Sequence, residues 1–355
     1  MDSLTHVAMG ACIVGSILGR THGRKAYVAG AILATLPDLD VLIRHSNPLS
    51  ALINHRSFSH SLFVLTALAL VLVWIMRCWR PSQGYGTGRL FLAVWIALIT
   101  HPLLDAFTSY GTQLFWPLKP TPTSWSSLFI IDPFYTLPLL CACIAGLIAG
   151  ATPSTLRAAH WALGIGAAYI ALSVGAKTMI EARVHTQLAD KGVVVQAMFS
   201  TPEPFSILLW RVVARTNDDH YVEAIAGVFD KHPAELIEQP LHTPLPPAAS
   251  KLPWLGRFQW FTGNWLRYDE IGGQLIATDL RMGLGVGYYS FRFRLAECKS
   301  DGTWQAVTPT HWPRPPALDA LWMTLRRIWS EVPPLPLSAW AATMNSPAPV
   351  NVSCR

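Results

Sequence analysis

Charge is what this 355-residue chain has little of: 14% of its residues are Asp, Glu, Lys or Arg and 51% are hydrophobic, where an ordinary soluble domain carries roughly 25% charged residues. A protein soluble throughout is excluded. The shortage is uneven. Residues 1–180 hold 5 acidic and 11 basic residues while residues 181–355 hold 16 of each, so the net charge of +6 arises in the first half. The basic residues stand singly between apolar runs and form no cluster that tracks a phosphate backbone, which argues against a nucleic-acid partner. The six cysteines, Cys12, Cys78, Cys141, Cys143, Cys298 and Cys354, lack paired zinc-motif spacing. Four lie in or beside apolar runs, where a free thiol behaves as a small hydrophobe. The N-terminus has no basic n-region, so a cleaved signal peptide is not expected.

What is present in the first half is apolar length. Leu62 to Met76, Phe134 to Ala151 and Trp161 to Ala176 are nearly uncharged runs close to the ~17–25 residues of a bilayer helix. Val7 to Gly19 is short, Tyr27 to Ile43 carries Pro37, Asp38 and Asp40 near its end, and Leu90 to Leu104 runs into His101 and Asp105. Six membrane segments are expected, the first shallow or re-entrant. The first, third and fifth loops hold Arg20, Arg24, Lys25, Arg77, Arg80, Arg89 and Arg157 against Arg44, Arg56 and Lys119 in the second and fourth. The positive-inside rule then puts the odd loops in the cytoplasm and both the N-terminus and the C-terminal half outside it.

After Lys177 the pattern becomes strand-like. Val193 to Phe199, Ile207 to Arg215, Tyr221 to Phe229, Gln274 to Asp279 and Tyr288 to Leu295 are β-rich runs between turn residues, the last alternating aromatic with polar side chains. The fold class expected is an α-helical membrane domain over 1–180 followed by a small, mainly antiparallel β soluble domain over 181–332. A Pro-rich stretch, Pro240 to Pro253, interrupts the β domain, and a Pro/Ala/Ser-rich tail over 333–355 is expected to be poorly ordered.

The informative residues are polar ones that a membrane domain avoids. On the six-span reading His6 begins the first helix, Asp38 and Asp40 end the second, His55 and His60 begin the third, His101 and Asp105 end the fourth, and Asp132 begins the fifth. All fall at one membrane face. His101 and Asp105, four apart, share one helical face, as two ligands of a single ion do. Imidazole with carboxylate suits Zn²⁺, Mn²⁺ or Fe, with room for more than one ion. Blander roles compete. Asp132 before Pro133 has the form of an N-cap with Pro at N1. Asp38 can simply end a helix, and His101 with Asp105 can be a hydrogen-bonded pair. Trp95, Tyr110, Trp116 and Trp161 read as interfacial belt residues, and Gly283 to Gly287 as a flexible turn.

Five ordered motifs carry a resemblance. Asp2-x-x-Thr5-His6, Pro37-Asp38-Leu39-Asp40, His55-Arg56-x-x-Ser59-His60-Ser61, His101-x-x-Leu104-Asp105-x-x-Thr108-x-Tyr110-Gly111 and Asp132-Pro133 resemble the YdjM-like family. Its members are described as inner-membrane-associated, predicted metal-dependent hydrolases, one of them named for LexA binding. Ser57 and Ser59 stand where the family motif has Gly and Thr, and Ser57 asks for a less permissive backbone at that turn. More distantly, the pattern is similar to zinc-dependent phospholipase C and P1-type nucleases. The resemblance implies a membrane-bound hydrolase of a phosphoester or lipid head group at the non-cytoplasmic face of an inner membrane, using water activated by one to three divalent ions, zinc foremost. His6, Asp38, Asp40, His55, His60, His101 and Asp105 are then the expected ligands, with Asp40, His60 and Asp105 the catalytic centre. Arg56, Ser59 and Asp132 support the ligands or meet the substrate. Membrane lipid and a protein partner are the expected contacts. The alternative is a non-catalytic membrane protein whose metal site is structural or sensing and whose β domain binds a protein; a transporter is disfavoured because the polar groups gather at one face.

Overall fold

The computed structural model describes residues 1–80, 84–247, 251–284, 288–312, 318–342 and 344. The helices along the chain are α1 (Ser3–His22), α2 (Arg24–Thr35), α3 (Pro48–Asn54), α4 (Leu62–Trp79), α5 (Thr87–Ala106), α6 (Pro133–Ala149), α7 (Pro153–Asp190), α8 (Leu255–Thr262), α9 (Leu318–Arg327) and α10 (Leu337–Ala342). Two compact units divide the chain: Met1–Arg44 with His55–Ser173, and His45–Asn54 with Val174–Arg355.

In the first unit α1 packs on α2, α5 and α6. Asp2 starts α1 by accepting the Thr5 N–H at 3.1 Å, which satisfies an otherwise orphaned helix-start donor. The α1–α2 crossing depends on small residues: a Cβ on Gly30 would stand 2.1 Å from the Gly10 carbonyl oxygen. Pro37 follows α2 and opens a 3₁₀ turn, Pro37–Leu42. Ser61 caps α4 and also donates to the Trp116 carbonyl at 2.6 Å. Asp132 caps α6, accepting from Phe134 N–H at 3.0 Å and Tyr135 N–H at 3.3 Å, with Pro133 at the first helical position.

Six expected membrane segments become four among the described residues. Ser3–His22, Leu62–Trp79, Thr87–Ala106 and Pro153–Asp190 are long and apolar enough to cross a bilayer, while Pro133–Ala149 is shorter. The run Tyr27 to Ile43 fails because Pro37 cannot continue a helix and the two acids beyond it take a separate turn. The run expected to be shallow, Val7 to Gly19, lies inside the full 20 residues of α1. The 180/181 boundary suggested by sequence falls inside α7, where Lys177 and Glu181, one turn apart, pair at 3.1 Å.

The second unit holds two four-stranded antiparallel sheets. One has the order β1 (Val195–Pro202), β2 (Leu209–Thr216), β3 (His220–Gly227), β4 (Glu235–Pro240). The other runs β10 (Trp304–His311), β9 (Arg292–Cys298), β6 (Gln274–Asp279), β5 (Leu266–Ile271), and a short ribbon pairs β7 (Gly283–Leu284) with β8 (Tyr288–Tyr289). The run expected over Tyr288 to Leu295 is therefore two strands. The last three residues of the Gly283 to Gly287 turn, residues 248–250 of the Pro-rich stretch and most of the tail beyond 342 lie outside the described residues. β2 and β3 are buried along nearly their whole length, so their polar side chains must pair. Arg211 donates to both Glu223 oxygens at 2.8 and 2.9 Å, and Tyr289 O–H donates to Glu223 at 2.9 Å.

Candidate metal centre

Three short pieces of backbone in the first unit bring the polar motifs together: the turn Pro37–Leu42, the 3₁₀ turn Phe58–His60 leading into α4, and the end of α5. Four ligand-type atoms converge there, one each from Asp38, His60, His101 and Asp105, all within 4.8 Å of one another. His60 Nε2 stands 3.5 Å from Asp38 Oδ1 and 3.3 Å from Asp105 Oδ2. His101 Nε2 stands 3.3 Å from Asp38 Oδ1 and 3.5 Å from Asp105 Oδ2. None of His60 Nε2, His101 Nε2 and Asp105 Oδ2 has a hydrogen-bond partner among the described residues, although all are buried.

The protons of the two imidazoles can be located. His101 Nδ1 lies 2.7 Å from the Ala34 carbonyl; a carbonyl only accepts, so Nδ1 carries a proton and Nε2 is the nitrogen turned towards the centre. The Ser59 hydroxyl gives its one proton to Asp40 Oδ2 at 2.8 Å and lies 2.9 Å from His60 Nδ1. Nδ1 of His60 therefore donates to it, and Nε2 is again the nitrogen turned towards the centre. Two imidazole nitrogens and two carboxylate oxygens face one point, an arrangement that a metal ion between them or protons on the imidazoles would satisfy.

The spacing tests what cation fits. Zinc bonds of ~2.0–2.1 Å in a tetrahedron put neighbouring ligand atoms about 3.3 Å apart, and an octahedron of the same bonds about 3.0 Å. Four of the six edges measure 3.3–3.5 Å. These edges are compatible with a divalent ion held between the four side chains.

The other expected site residues surround this set. Asp40 faces away from the four atoms and holds the scaffold: its Oδ1 accepts from His55 Nδ1 at 2.9 Å, and its Oδ2 from the Arg56 N–H at 3.0 Å and from Ser59. His55 is part-exposed, with its ring edge-on to Tyr110 at 5.5 Å and to His60 at 5.8 Å. His6 stacks on His101 at 3.6 Å and meets Asp105 Oδ1 at 3.2 Å. That oxygen also takes Arg56 Nη2 at 3.1 Å and the Met1 amino group, which leaves Oδ2 for the centre. Asp132 spends its carboxylate on the α6 cap and on the Tyr169 hydroxyl at 2.9 Å, so it is not joined to the cluster by any of these bonds. The left-handed backbone at this turn belongs to Arg56 (φ 59), and Ser57, with φ −94 and ψ −112, lies outside the α and β regions.

Burial penalises the charged form of Asp38, but His101 and His60 beside its carboxylate outweigh that and hold its pKa below the ordinary carboxylate value. Burial likewise opposes ionisation of Asp40, and the bonds from His55 and Ser59 pull its pKa down. Thr108 and Tyr110, which the sequence gives only as members of the His101 motif, also join the surroundings of the cluster. Thr108 Oγ1 accepts from Arg56 Nη1 at 3.2 Å and donates to the Asp105 carbonyl at 2.7 Å, and the Arg56 guanidinium lies 4.7 Å from the centre of the Tyr110 ring. Tyr110 thus packs on the site residues, where the sequence reads it as a belt residue. The signal was its place in the His101 motif, five residues after Asp105. A second His/carboxylate group, Asp218, His220 and Glu238, is largely exposed and lies in the other unit.

Spans that end at a buried His/Asp cluster able to hold a metal ion define the class: a helical membrane protein with a metal-binding-capable centre at its helix ends. The chain belongs to the YdjM inner membrane protein family, whose profile matches residues 1–180. Over 232 residues it is 27% identical to the uncharacterized protein YfhP of Bacillus subtilis (strain 168), which covers 62% of this chain and 67% of the relative. Over 114 residues it is 33% identical to the inner membrane protein YbcI of Escherichia coli (strain K12), covering 32% of this chain and 64% of that one. No solved structure matches the chain significantly.

Proposed function

We propose that this family member is a metal-dependent hydrolase of phosphoester or lipid head-group substrates, with zinc held by Asp38, His60, His101 and Asp105. The observation that carries the reading is the convergence of two buried imidazole nitrogens and two carboxylate oxygens within 4.8 Å of one another. The bound ion supplies Lewis acidity and a water acidified towards about neutral pH. The chain's own residues do the rest. Ser59 and the Ala34 carbonyl hold the two imidazoles in the tautomer that presents Nε2. Arg56, His6 and Thr108 fix the Asp105 side chain and its turn. Asp40 keeps the Nδ1 proton on His55, so the part-exposed ring has a free Nε2 to take a proton from water and return it to the leaving group. The inner-membrane setting comes with the family.

The test is turnover by the purified, metal-loaded full chain on a panel of phosphomonoesters, phosphodiesters and phospholipids. His101→Ala and Asp38→Asn lose about 100-fold or more with circular dichroism unchanged. A fully loaded wild type inert across the panel refutes the reading.

A further inference from the structure

One wall of the centre is not closed. The His60, His101 and Asp105 side chains are fully buried, whereas Asp38 is 25% exposed. The turn that carries Asp38 buries its acids inward and shows the outside aliphatic side chains: Leu39, Val41 (67%), Leu42 (75%) and Ile43 are all exposed. Phe58, two residues before His60, is exposed and stands edge-on to the exposed Trp116 at 6.2 Å. Exposed apolar side chains on the turns that carry Asp38 and His60 mark a binding surface.

The phase that covers them follows from where the turns begin. Ser61 caps α4, a candidate span, and His101 and Asp105 lie in the last turns of α5, another. Turns that leave the ends of spans lie at the level of the lipid head groups and upper acyl chains. Arg44, exposed and directly after Ile43, adds a cation suited to an anionic head group.

We propose that the turn Pro37–Ile43 is immersed in the lipid interface and that the centre draws its substrate from the bilayer. The substrate is an amphiphile with a phosphoester head group: its chains lie along Leu39, Val41 and Leu42, and its head group reaches the centre past Asp38. Hydrolysis then breaks one P–O bond and forms one to the oxygen of water, whose proton leaves with the released alcohol. The substrate half of this proposal rests on the hydrolytic reading above; the immersion of the turn does not.

The experiment uses the full chain in vesicles of phosphatidylethanolamine and phosphatidylglycerol. A bimane fluorophore is placed at Leu42→Cys and compared with the labelled unsubstituted protein, because Cys78 and Cys141 are exposed thiols. Quenching at position 42 by acyl-chain doxyl lipid stronger than by aqueous iodide is expected; the reverse overturns immersion. In Val41→Asp/Leu42→Asp the ratio of turnover on vesicle phospholipid to turnover on bis(p-nitrophenyl) phosphate falls about tenfold or more, the scale of one lost buried aliphatic side chain. An unchanged ratio overturns entry from the bilayer. Inertness of the loaded wild type towards both probes overturns the hydrolytic reading and the substrate half with it, while the quenching result decides immersion on its own.

Discussion

Replacing Ser59 by alanine separates the metal-centre account from a merely packed polar cluster. The Ser59 hydroxyl joins Asp40 at 2.8 Å to His60 Nδ1 at 2.9 Å. Without it, the buried Nδ1–H of His60 faces a methyl group, and the ring gains by moving its proton to Nε2, the atom that points into the centre. Outer partners of this kind typically change metal affinity by about 10–100-fold, or about 1.4–2.7 kcal/mol. Ser59→Ala should therefore weaken zinc binding by that factor, measured by competition with a fluorescent chelator in detergent. Ser59→Thr keeps the hydroxyl and stays within about threefold of wild type. The reasoning is refuted by a Ser59→Ala affinity within about twofold of wild type, or by a threonine variant as weak as the alanine one.

Two further predictions concern the scaffold. Gly30→Ala drives a methyl into the Gly10 carbonyl 2.1 Å away and should cost about 1–3 kcal/mol of stability, read as a lowered thermal midpoint; Gly88→Ala, whose Cβ meets nothing within 4 Å, leaves that midpoint unchanged. Glu223→Gln leaves the buried Arg211 charge uncompensated and should destabilise the second unit by about 3–5 kcal/mol. Thermal unfolding of the full chain followed by near-ultraviolet dichroism checks this, and a loss below about 1 kcal/mol contradicts it.

The polar residues that converge at the candidate centre were legible in the sequence for a physical reason. A carboxylate or imidazole in an apolar segment is costly, so Asp38, His60, His101 and Asp105 stood out against a first half that holds only 5 acids, and the four-residue spacing of His101 and Asp105 put both on one helix face. What spacing does not reveal is which way a side chain turns. Asp40 reads as a ligand as readily as Asp38, yet it turns to His55, Ser59 and the Arg56 backbone, a choice made by three donors that only the folded turn brings within reach. His6 reads as a ligand, and its ring stacks on His101. Arg56 reads as a substrate contact, and its guanidinium is held by Asp105 and Thr108. Six spans are not confirmed, since the helix before Pro37 is short, and the apolar run ending at Ala176 lies in a helix that continues past it, where Lys177 and Glu181 pair. In the β half, Gln274–Asp279 was read to the residue, because alternation and flanking turns agree there. β4, β5 and β10 were not read from the sequence, although each pairs with the strand next to it along the chain, β5 with β6 across the Gly272-Gly273 turn.

The central claim is that four acceptor atoms enclose one divalent cation. Elemental analysis of the full chain, purified with zinc present and then desalted, tests it most directly. The account predicts about one ion per chain in wild type and loss of about nine-tenths of it in His101→Ala at unchanged helix content. A wild type without bound metal, or a His101→Ala protein that keeps it in full, would contradict the account.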